Sequence, residues 1–411
     1  MPSAPVVAVV AAPAPPDTQR AVAATYLAFA GSGFAFASWA SRIPQVRDHL
    51  QLSPARLGLV LLAIAAGSLI ALPLAGPVVH RFGPRRTVAA MAGLMGLSLA
   101  TVALGYLGGL AAVVAGLFLL GFANGAWDVA MNVHGALVER RLGRSIMSRF
   151  HAGFSLGTVA GALTGAALVA LHVPVTVHLL LVAAVVAGLV PWGTRRFLPE
   201  DTGPDDPAGE APSHSALSAW REPRTLLIGV LVLAFAFAEG TGNDWISVAA
   251  IDGYGAPAAV GTLTFAAFLA AMTLGRWFGP GLLDRYGRVA VLRVLAGLGI
   301  AGSLVFVFAP TTPIAIAGVV LWGLGTSLGF PVGMSAGADD PRHAAGRVSV
   351  IASVGYCAFL AGPPAIGLLA DHLTVLRALT SVAVLLGAAA LITAAVRPPA
   401  DSTAAPNQKL D

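Results

Sequence analysis

The sequence predicts an all-α membrane protein, with twelve transmembrane helices in two pseudo-symmetric six-helix halves. Three observations carry that prediction. Hydrophobic residues make up 57% of the 411 and charged residues only 10%, whereas a soluble domain carries about 25% charged residues. Twelve spans of roughly 20 apolar residues need about 240 in all, close to what this composition supplies. The second half of the chain also repeats the first at a near-constant spacing. A soluble enzyme, a disordered chain and a nucleic-acid binder are all excluded as first readings. The single Cys357 rules out an internal disulfide or a thiolate metal cluster.

Apolar runs set off by polar or Pro/Gly breaks fall at 21–42, 55–80, 86–108, 111–138, 146–171, 174–194, 224–250, 257–283, 289–309, 313–337, 347–370 and 376–396. Each is long enough to span, the longer ones with tilt. Span 2 opens on Ser53-Pro54, an N-cap oxygen followed by a pre-set φ at the first helical position. Span 7 carries Glu239-Gly-Thr-Gly-Asn-Asp-Trp245, whose two glycines predict a bent or unwound stretch. In span 10, Gly329-Phe-Pro331 predicts a bend, because Pro lacks a backbone donor.

Basic residues orient the spans. With the N-terminus inside, 19 of the 24 lie in inner segments, four (Arg42, Arg47, Arg56, Arg377) in outer loops, and Arg276 within a span. Both termini are therefore expected in the cytoplasm of an inner-membrane protein, and the net charge of +5 is a topology signal. Residues 1–20, Pro/Ala-rich without a basic start, are expected to be a disordered cytoplasmic tail, and 398–411 a second tail. Between the six-helix halves, 21–194 and 224–397, lies a cytoplasmic linker at 195–223, rich in Pro, Gly and acid.

The repeat is legible residue by residue at a spacing of 203–204. Pro54 and Gly58 match Pro257 and Gly261, His80-Arg81-Phe82-Gly83 matches Asp284-Arg285-Tyr286-Gly287, Gly121 matches Gly325, and Arg144 matches Arg347. Parallel halves of this kind hold a solute between them near mid-membrane and rock to expose it to either side.

The stretch Gly76-Pro-Val-Val-His-Arg-Phe-Gly-Pro-Arg-Arg86, echoed by Gly281-Leu-Leu-Asp-Arg-Tyr-Gly-Arg288, resembles the loop 2–3 and 8–9 signature of the major facilitator superfamily. The resemblance covers residues 17–397. The segment from Asn124 to Ser155, with Trp127-Asp-Val-Ala-Met-Asn132 and Phe150-His-Ala-Gly-Phe-Ser155, is similar to bacterial members near the fucose:proton symporter branch. The resemblance implies that spans 1, 4, 7 and 10 line the cavity. It also implies a latch at the inner end built from Arg81, Asp284 and Arg285. His80 stands where the superfamily pattern has Asp, so the latch is lopsided. Asp284 could accept hydrogen bonds at the N-terminus of span 5 near Ser145.

A carboxylate in hydrocarbon costs a few kcal/mol or more, so intramembrane acids face a cavity or a partner. Span 4 places Asn124, Asp128 and Asn132 at i, i+4 and i+8, one polar stripe. At about 1.5 Å per residue from the inner end, Asp128 is roughly 15 Å deep, level with Ser155, and Asn132 is level with His151. A carboxyl group beside a titratable imidazole makes a workable proton site; the alternative is a structural network tying span 4 to span 5. Glu139 sits among Arg140, Arg141 and Arg144, which favours an ion pair. Span 7 contributes Glu239, Asn243 and Asp244, and Asp244 either pairs with Arg42 as an outer gate or sits at the rim. Trp127 and Trp322 offer flat indole faces for a solute. Arg276 is expected to snorkel inward, His134 to pack, and Cys357 to be a small buried group.

No nucleotide loop, metal-ligand spacing or nucleophile motif occurs. The sequence thus predicts a secondary active transporter of a small polar or amphipathic solute, driven by protons as a symporter, sufficient as a monomer and without cofactor, nucleic acid or enzyme activity. A proton-driven efflux antiporter for drugs or metabolites is the alternative, and a non-transporting membrane sensor a remote one.

Overall fold

The computed structural model describes residues 16–143, 146–199, 216–340 and 343–398. Among these residues the ordered backbone is helical, without strands. The elements are α1 (Pro16–Ala40), α2 (Ile43–His49), α3 (Pro54–Gly108), α4 (Leu110–Leu142), α5 (Met147–Ala170), α6 (Val175–Thr194), α7 (Ala216–Ala219), α8 (Pro223–Tyr254), α9 (Ala258–Tyr286), α10 (Arg288–Phe308), α11 (Thr312–Thr326), α12 (Gly329–Gly337), α13 (Ala344–His372), α14 (Val375–Ala378) and α15 (Thr380–Ile392), closed by a 3-10 turn at Thr393–Val396.

Eleven helical runs are long and apolar enough to cross a membrane. The 55-residue α3 is two spans in succession, because Gly83 breaks it at φ 78°, ψ 158°. That makes twelve. Spans 1–6 are α1 with α2, the two parts of α3, α4, α5 and α6; spans 7–12 are α8, α9, α10, α11 with α12, α13, and α14 with α15. An even number of spans brings both chain ends to one side of the bundle, termed here the near end. The loops around residues 41–56, 252–258 and 371–375 form the far end.

The duplication is visible in the backbone. Gly287, the counterpart of Gly83, has φ 78° and ψ 159°, a region essentially closed to L side chains. The arginine of each copy lies over the ring of the residue that follows it, Arg81 on Phe82 at 5.6 Å and Arg285 on Tyr286 at 5.2 Å. Packing between halves follows the same symmetry, span 2 against span 11 and span 5 against span 8. At the first of these seams the backbones touch: a Cβ on Gly58 would meet the Pro363 carbonyl, and one on Gly367 the Pro54 carbonyl.

Several boundaries differ from expectation. Span 1 begins at Pro16, so residues 16–20 of the expected tail are helical. Pro16 supplies a pre-set φ at the first position and Asp17 suits the positive end of the helix. The rest of that tail, linker residues 200–215, tail residues 399–411, and Arg144, Ser145 and Arg342 lie outside the described residues. Span 7 is one unbroken helix. Its glycines serve close packing instead: a Cβ on Gly240 would press on the Phe359 ring at 3.1 Å, and one on Gly242 on Phe268 at 2.5 Å. Span 10 is broken as expected, between Thr326 and Gly329.

Large apolar side chains such as Leu104, Leu107, Val384 and Leu391 stand exposed on the outer surface. In water they would be a liability; against lipid tails they are the ordinary surface of a helix bundle whose backbone bonds are all internal. At the near end the second half is tied together by polar contacts. Arg224 and Arg288 converge on Asp339 at 2.8 and 2.6 Å, and Arg347 binds Glu222 at 2.7 Å. That guanidinium, with help from the Thr225 hydroxyl, holds the Glu222 carboxyl below its usual range against the opposing effect of burial.

Candidate functional site

Span 4 carries its polar stripe where the sequence puts it. Asn124 Oδ1 accepts from Ser32 Oγ at 3.0 Å, which fixes span 4 to span 1. Asn132 Nδ2 donates to the Asp128 carbonyl at 2.8 Å and to Asp128 Oδ1 at 3.2 Å. Asn132 Oδ1 lies 3.1 Å from His151 Nε2. An amide oxygen only accepts, so the imidazole donates there. The result is a relay from the Asp128 carboxyl through one amide to a histidine of span 5. His151 is exposed and meets Phe29 edge-on at 5.1 Å, so its ring is held on one side.

The second half presents charges to this relay. Glu239 of span 7 accepts two hydrogen bonds from Arg276 Nη2 of span 8, at 2.8 and 2.9 Å. Arg276 Nε also donates to the Ser327 carbonyl at 3.3 Å, at the break in span 10. The Arg276 guanidinium lies within charge range of His151, and Tyr356 of span 11 lies within charge range of Asp128. Ionisable groups of the two halves therefore lie within electrostatic reach of one another. Arg276 does not snorkel: its carboxylate partner holds it in place.

Asp128 has no cation as partner among the described residues, whereas Glu239 is neutralised by Arg276. Asp244 is half-buried, with no hydrogen bond or ion pair among the described residues, and the Asn243 amide oxygen is buried without a partner. The expected Arg42–Asp244 gate is absent. Arg42 instead turns into the first half, where its Nε donates to His178 Nδ1 at 2.9 Å.

Other expectations are corrected. Trp127 and Trp322 are wholly buried and offer no face to a solute. Trp127 packs beside Gly31 of span 1, and Trp322 packs on Phe268 and Phe306 of spans 8 and 9. Bulky indoles fill the core of each half because no smaller residue would fill the gap. Ser155 is 4% exposed and does not bond to Asp128. Glu139 Oε1 accepts from the backbone N–H groups of Ile146 and Met147, at 2.7 and 3.3 Å, and so caps span 5. This occupies the place expected for Asp284, which is exposed and has no partner among the described residues. Cys357 is exposed, not buried. His134 does pack: it is buried, stacks on Phe197 at 3.6 Å and bonds to Thr25 and to Leu198 N–H.

The far end is closed by contacts that the sequence did not reveal. Arg47 grips Asp252 of span 7 through both terminal nitrogens, the Nη2–Oδ1 bond being 2.8 Å. Asp371, at the end of span 11, accepts from Ala55 N–H at 3.1 Å and from Ser53 Oγ at 3.5 Å, at the start of span 2. Thr262 Oγ1 reaches the Ser41 carbonyl at 3.5 Å. Arg47 reads as an outer-loop charge, because nothing local in the sequence pairs it with an acid 205 residues away.

Known proteins match this architecture over nearly its whole length. The model for the Major Facilitator Superfamily matches residues 21–361. An uncharacterised transporter of Sinorhizobium fredii is 33% identical over 86% of this chain and 92% of its own. The membrane protein MosC of Rhizobium meliloti is 30% identical over 89% and 87%. Among solved structures, the nucleoside transporter NupG superposes with a TM-score of 0.72 at 13% identity, covering 93% of this chain and 98% of that one. A bacterial homologue of the human lysosomal transporter Spinster, inward-facing and unoccupied, gives 0.70 at 15% over 96% and 100%. The Escherichia coli fucose:proton symporter FucP gives 0.61 at 15% over 91% and 98%. Twelve spans in two packed halves, a family model over most of the chain and full-length relatives agree: the chain belongs to the Major Facilitator Superfamily, as a multi-pass membrane transporter of a small-molecule solute and not an enzyme.

Proposed function

We propose that the chain is a proton-coupled symporter for a small polar solute, working as a monomer in the inner membrane with both termini in the cytoplasm. The halves 21–194 and 224–397 rock about the seams between spans 2 and 11 and spans 5 and 8. The near end is then the cytoplasmic one, and the form described here is closed toward the outside. The observation that carries the reading is the relay of Asp128, Asn132 and His151, in which the acid has no cation partner among the described residues. A bare carboxylate at membrane depth costs several kcal/mol, and a proton removes that cost. His151 can hold a proton toward the near end, and water carries it past the Asn132 amide to Asp128. The amides of Asn124, Asn132 and Asn243 supply donors and acceptors for a hydroxylated solute, and Glu239 with Arg276 forms the opposite wall.

Purified protein in liposomes tests this with a panel of polar solutes, measured as counterflow and as uptake under an imposed pH gradient. Asp128→Asn is expected to keep counterflow and to lose gradient-driven accumulation. Full accumulation by that variant would remove Asp128 from the proton path. Solute moving against the proton flow would assign the antiport direction instead.

A further inference from the structure

Spans 2 and 4 run parallel from the far end and cross in close contact partway down. At the crossing a Cβ on Gly67 would meet the Phe118 carbonyl, and one on Gly121 the Ile64 carbonyl. Ser68 Oγ donates to the Gly121 carbonyl at 2.9 Å and pins the two helices there. The turn that leads into span 4 lies at the far end, since Tyr106 just before it stacks on His49 of α2 at 4.0 Å.

On the far-end side of the crossing the helices part. The gap is a groove of about 1020 Å³, open to the bundle surface and lined by apolar side chains, among them Leu59, Leu62 and Ala63 of span 2 and Ala115 and Phe118 of span 4. It extends along span 4 from Leu110 to Leu119, about 13 Å at 1.5 Å per residue, close to the roughly 15 Å of one hydrocarbon leaflet. Such a lining offers water no hydrogen bond, so hydrocarbon fills the groove in a bilayer.

Arg56 marks which hydrocarbon. Positions 56, 59, 63 and 66 recur at i, i+3, i+7 and i+10 of one continuous helix, so Arg56 tops the face that lines the groove, one turn above Leu59. Other far-end arginines are engaged within the protein: Arg42 bonds to His178 and Arg47 holds Asp252. Arg56 is exposed and has no ion pair among the described residues. A guanidinium at the polar boundary, above an apolar groove one leaflet deep, complements a phosphodiester with an acyl chain beneath it.

We propose that this groove holds one acyl chain of a phospholipid from the far-end leaflet, with the phosphodiester on Arg56. The site lies on the lipid-facing side of the first half and is separate from the Asp128 relay. Its occupant is a bound lipid, not the transported solute. Arg56 follows directly on Ala55, whose N–H binds Asp371, so the lipid borders a contact that closes the far end.

The test uses the full chain, purified in detergent and stripped of lipid. Thermal unfolding is followed as phosphatidylglycerol, diacylglycerol with the same chains, or inorganic phosphate is added. Phosphatidylglycerol is expected to raise the melting temperature saturably. Diacylglycerol is expected to need about tenfold more for half the effect, for loss of one charge-assisted contact, and phosphate alone to have none. Arg56→Gln is expected to move half-saturation by phosphatidylglycerol to the diacylglycerol value. Ala115→Trp fills the groove with an indole and is expected to abolish the response; Ala111→Trp, on the same exposed wall, serves if that variant does not fold. The proposal is overturned by the absence of a lipid shift, by equal half-saturation for the two lipids, or by equal half-saturation in wild type and Arg56→Gln. A response that survives the groove-filling tryptophan, or a shift with phosphate alone equal to that with lipid, would overturn it as well.

Discussion

Replacing Arg47 by Met is expected to loosen the far-end closure by about an order of magnitude. The Arg47 side chain is 11% exposed and that of Asp252 is 37%, so the pair lies between two measured classes. Exposed ion pairs contribute about 0.2–1 kcal/mol, and close pairs across interfaces about 1.5–7 kcal/mol. A value near 1.5 kcal/mol fits this intermediate burial, and about 1.4 kcal/mol is tenfold in an equilibrium constant. The bond from Arg47 Nε to Asp48, at 2.8 Å, stays within the first half and does not count toward closure. Asp371 still holds the start of span 2, so the change is a shift in population rather than complete opening. In a Cys357→Ala background, a cysteine placed at Asn243 reports access when a membrane-impermeant maleimide is added from the Arg47 side. Labelling is expected to run about tenfold faster in Arg47→Met and in Asp252→Leu, and the double variant should match either single one, because both changes break one contact. A rate within twofold of the parent, or single effects that simply add, would refute the reasoning.

Three further outcomes follow from the geometry. Gly83→Ala and Gly287→Ala each force a side chain into φ 78°; each is expected to lower stability by about 1–3 kcal/mol, read as thermal unfolding. Glu239→Gln leaves Arg276 without its counter-charge and is expected to destabilise by about 2 kcal/mol, less than the 3–5 of a fully buried pair, with recovery in the double variant carrying Arg276→Gln. Glu222 lies outside the spans and its carboxyl is held below its ordinary 4.5. Its contribution to stability is therefore present above 4.5 and lost as pH falls through the depressed folded value. The melting difference between wild type and Glu222→Gln should shrink on acidification over that window; a difference flat with pH would discount the pair with Arg347.

The fold was legible because it is written in features that survive without tertiary detail. Apolar length gives the spans, and a repeated Arg-aromatic-Gly gives the two turns after spans 2 and 8. The Asn124, Asp128, Asn132 stripe was legible for the same reason: helical spacing alone puts those residues on one face. His151 met Asn132 because counting rise per residue from the shared inner end levels two neighbouring helices. What failed needed rotation or distance between helices that are remote in sequence. Trp127 and Trp322 lie on the expected helices but on faces turned into the core. Arg276 was judged on its own span, without the span 7 acid that meets it. Depth alone allows Arg42 either to meet Asp244 or to leave it at the rim, whereas the guanidinium turns toward span 6 and His178. The glycines of span 7 look like breaks by propensity, yet Phe359 and Phe268 fill the space beside them.

The duplicated architecture and the undivided chemistry bear on each other. Backbone features recur in both halves, down to the φ of Gly83 and Gly287, because both halves make the same tight turn after their second span. The charges do not recur. Among the described residues span 4 carries Asp128 without a cation, while span 7 carries Glu239 neutralised by Arg276. Glu239 already has its counter-charge at 2.8 Å, and losing that carboxylate would leave the Arg276 guanidinium uncompensated. An unpaired acid gains the whole cost of its own burial. Under the proposed proton coupling, a single proton belongs with the first half, and the second half is the fixed wall. Neutralising Glu239 and Arg276 together should therefore alter which solutes are accepted and leave proton dependence intact, whereas changing Asp128 should do the reverse.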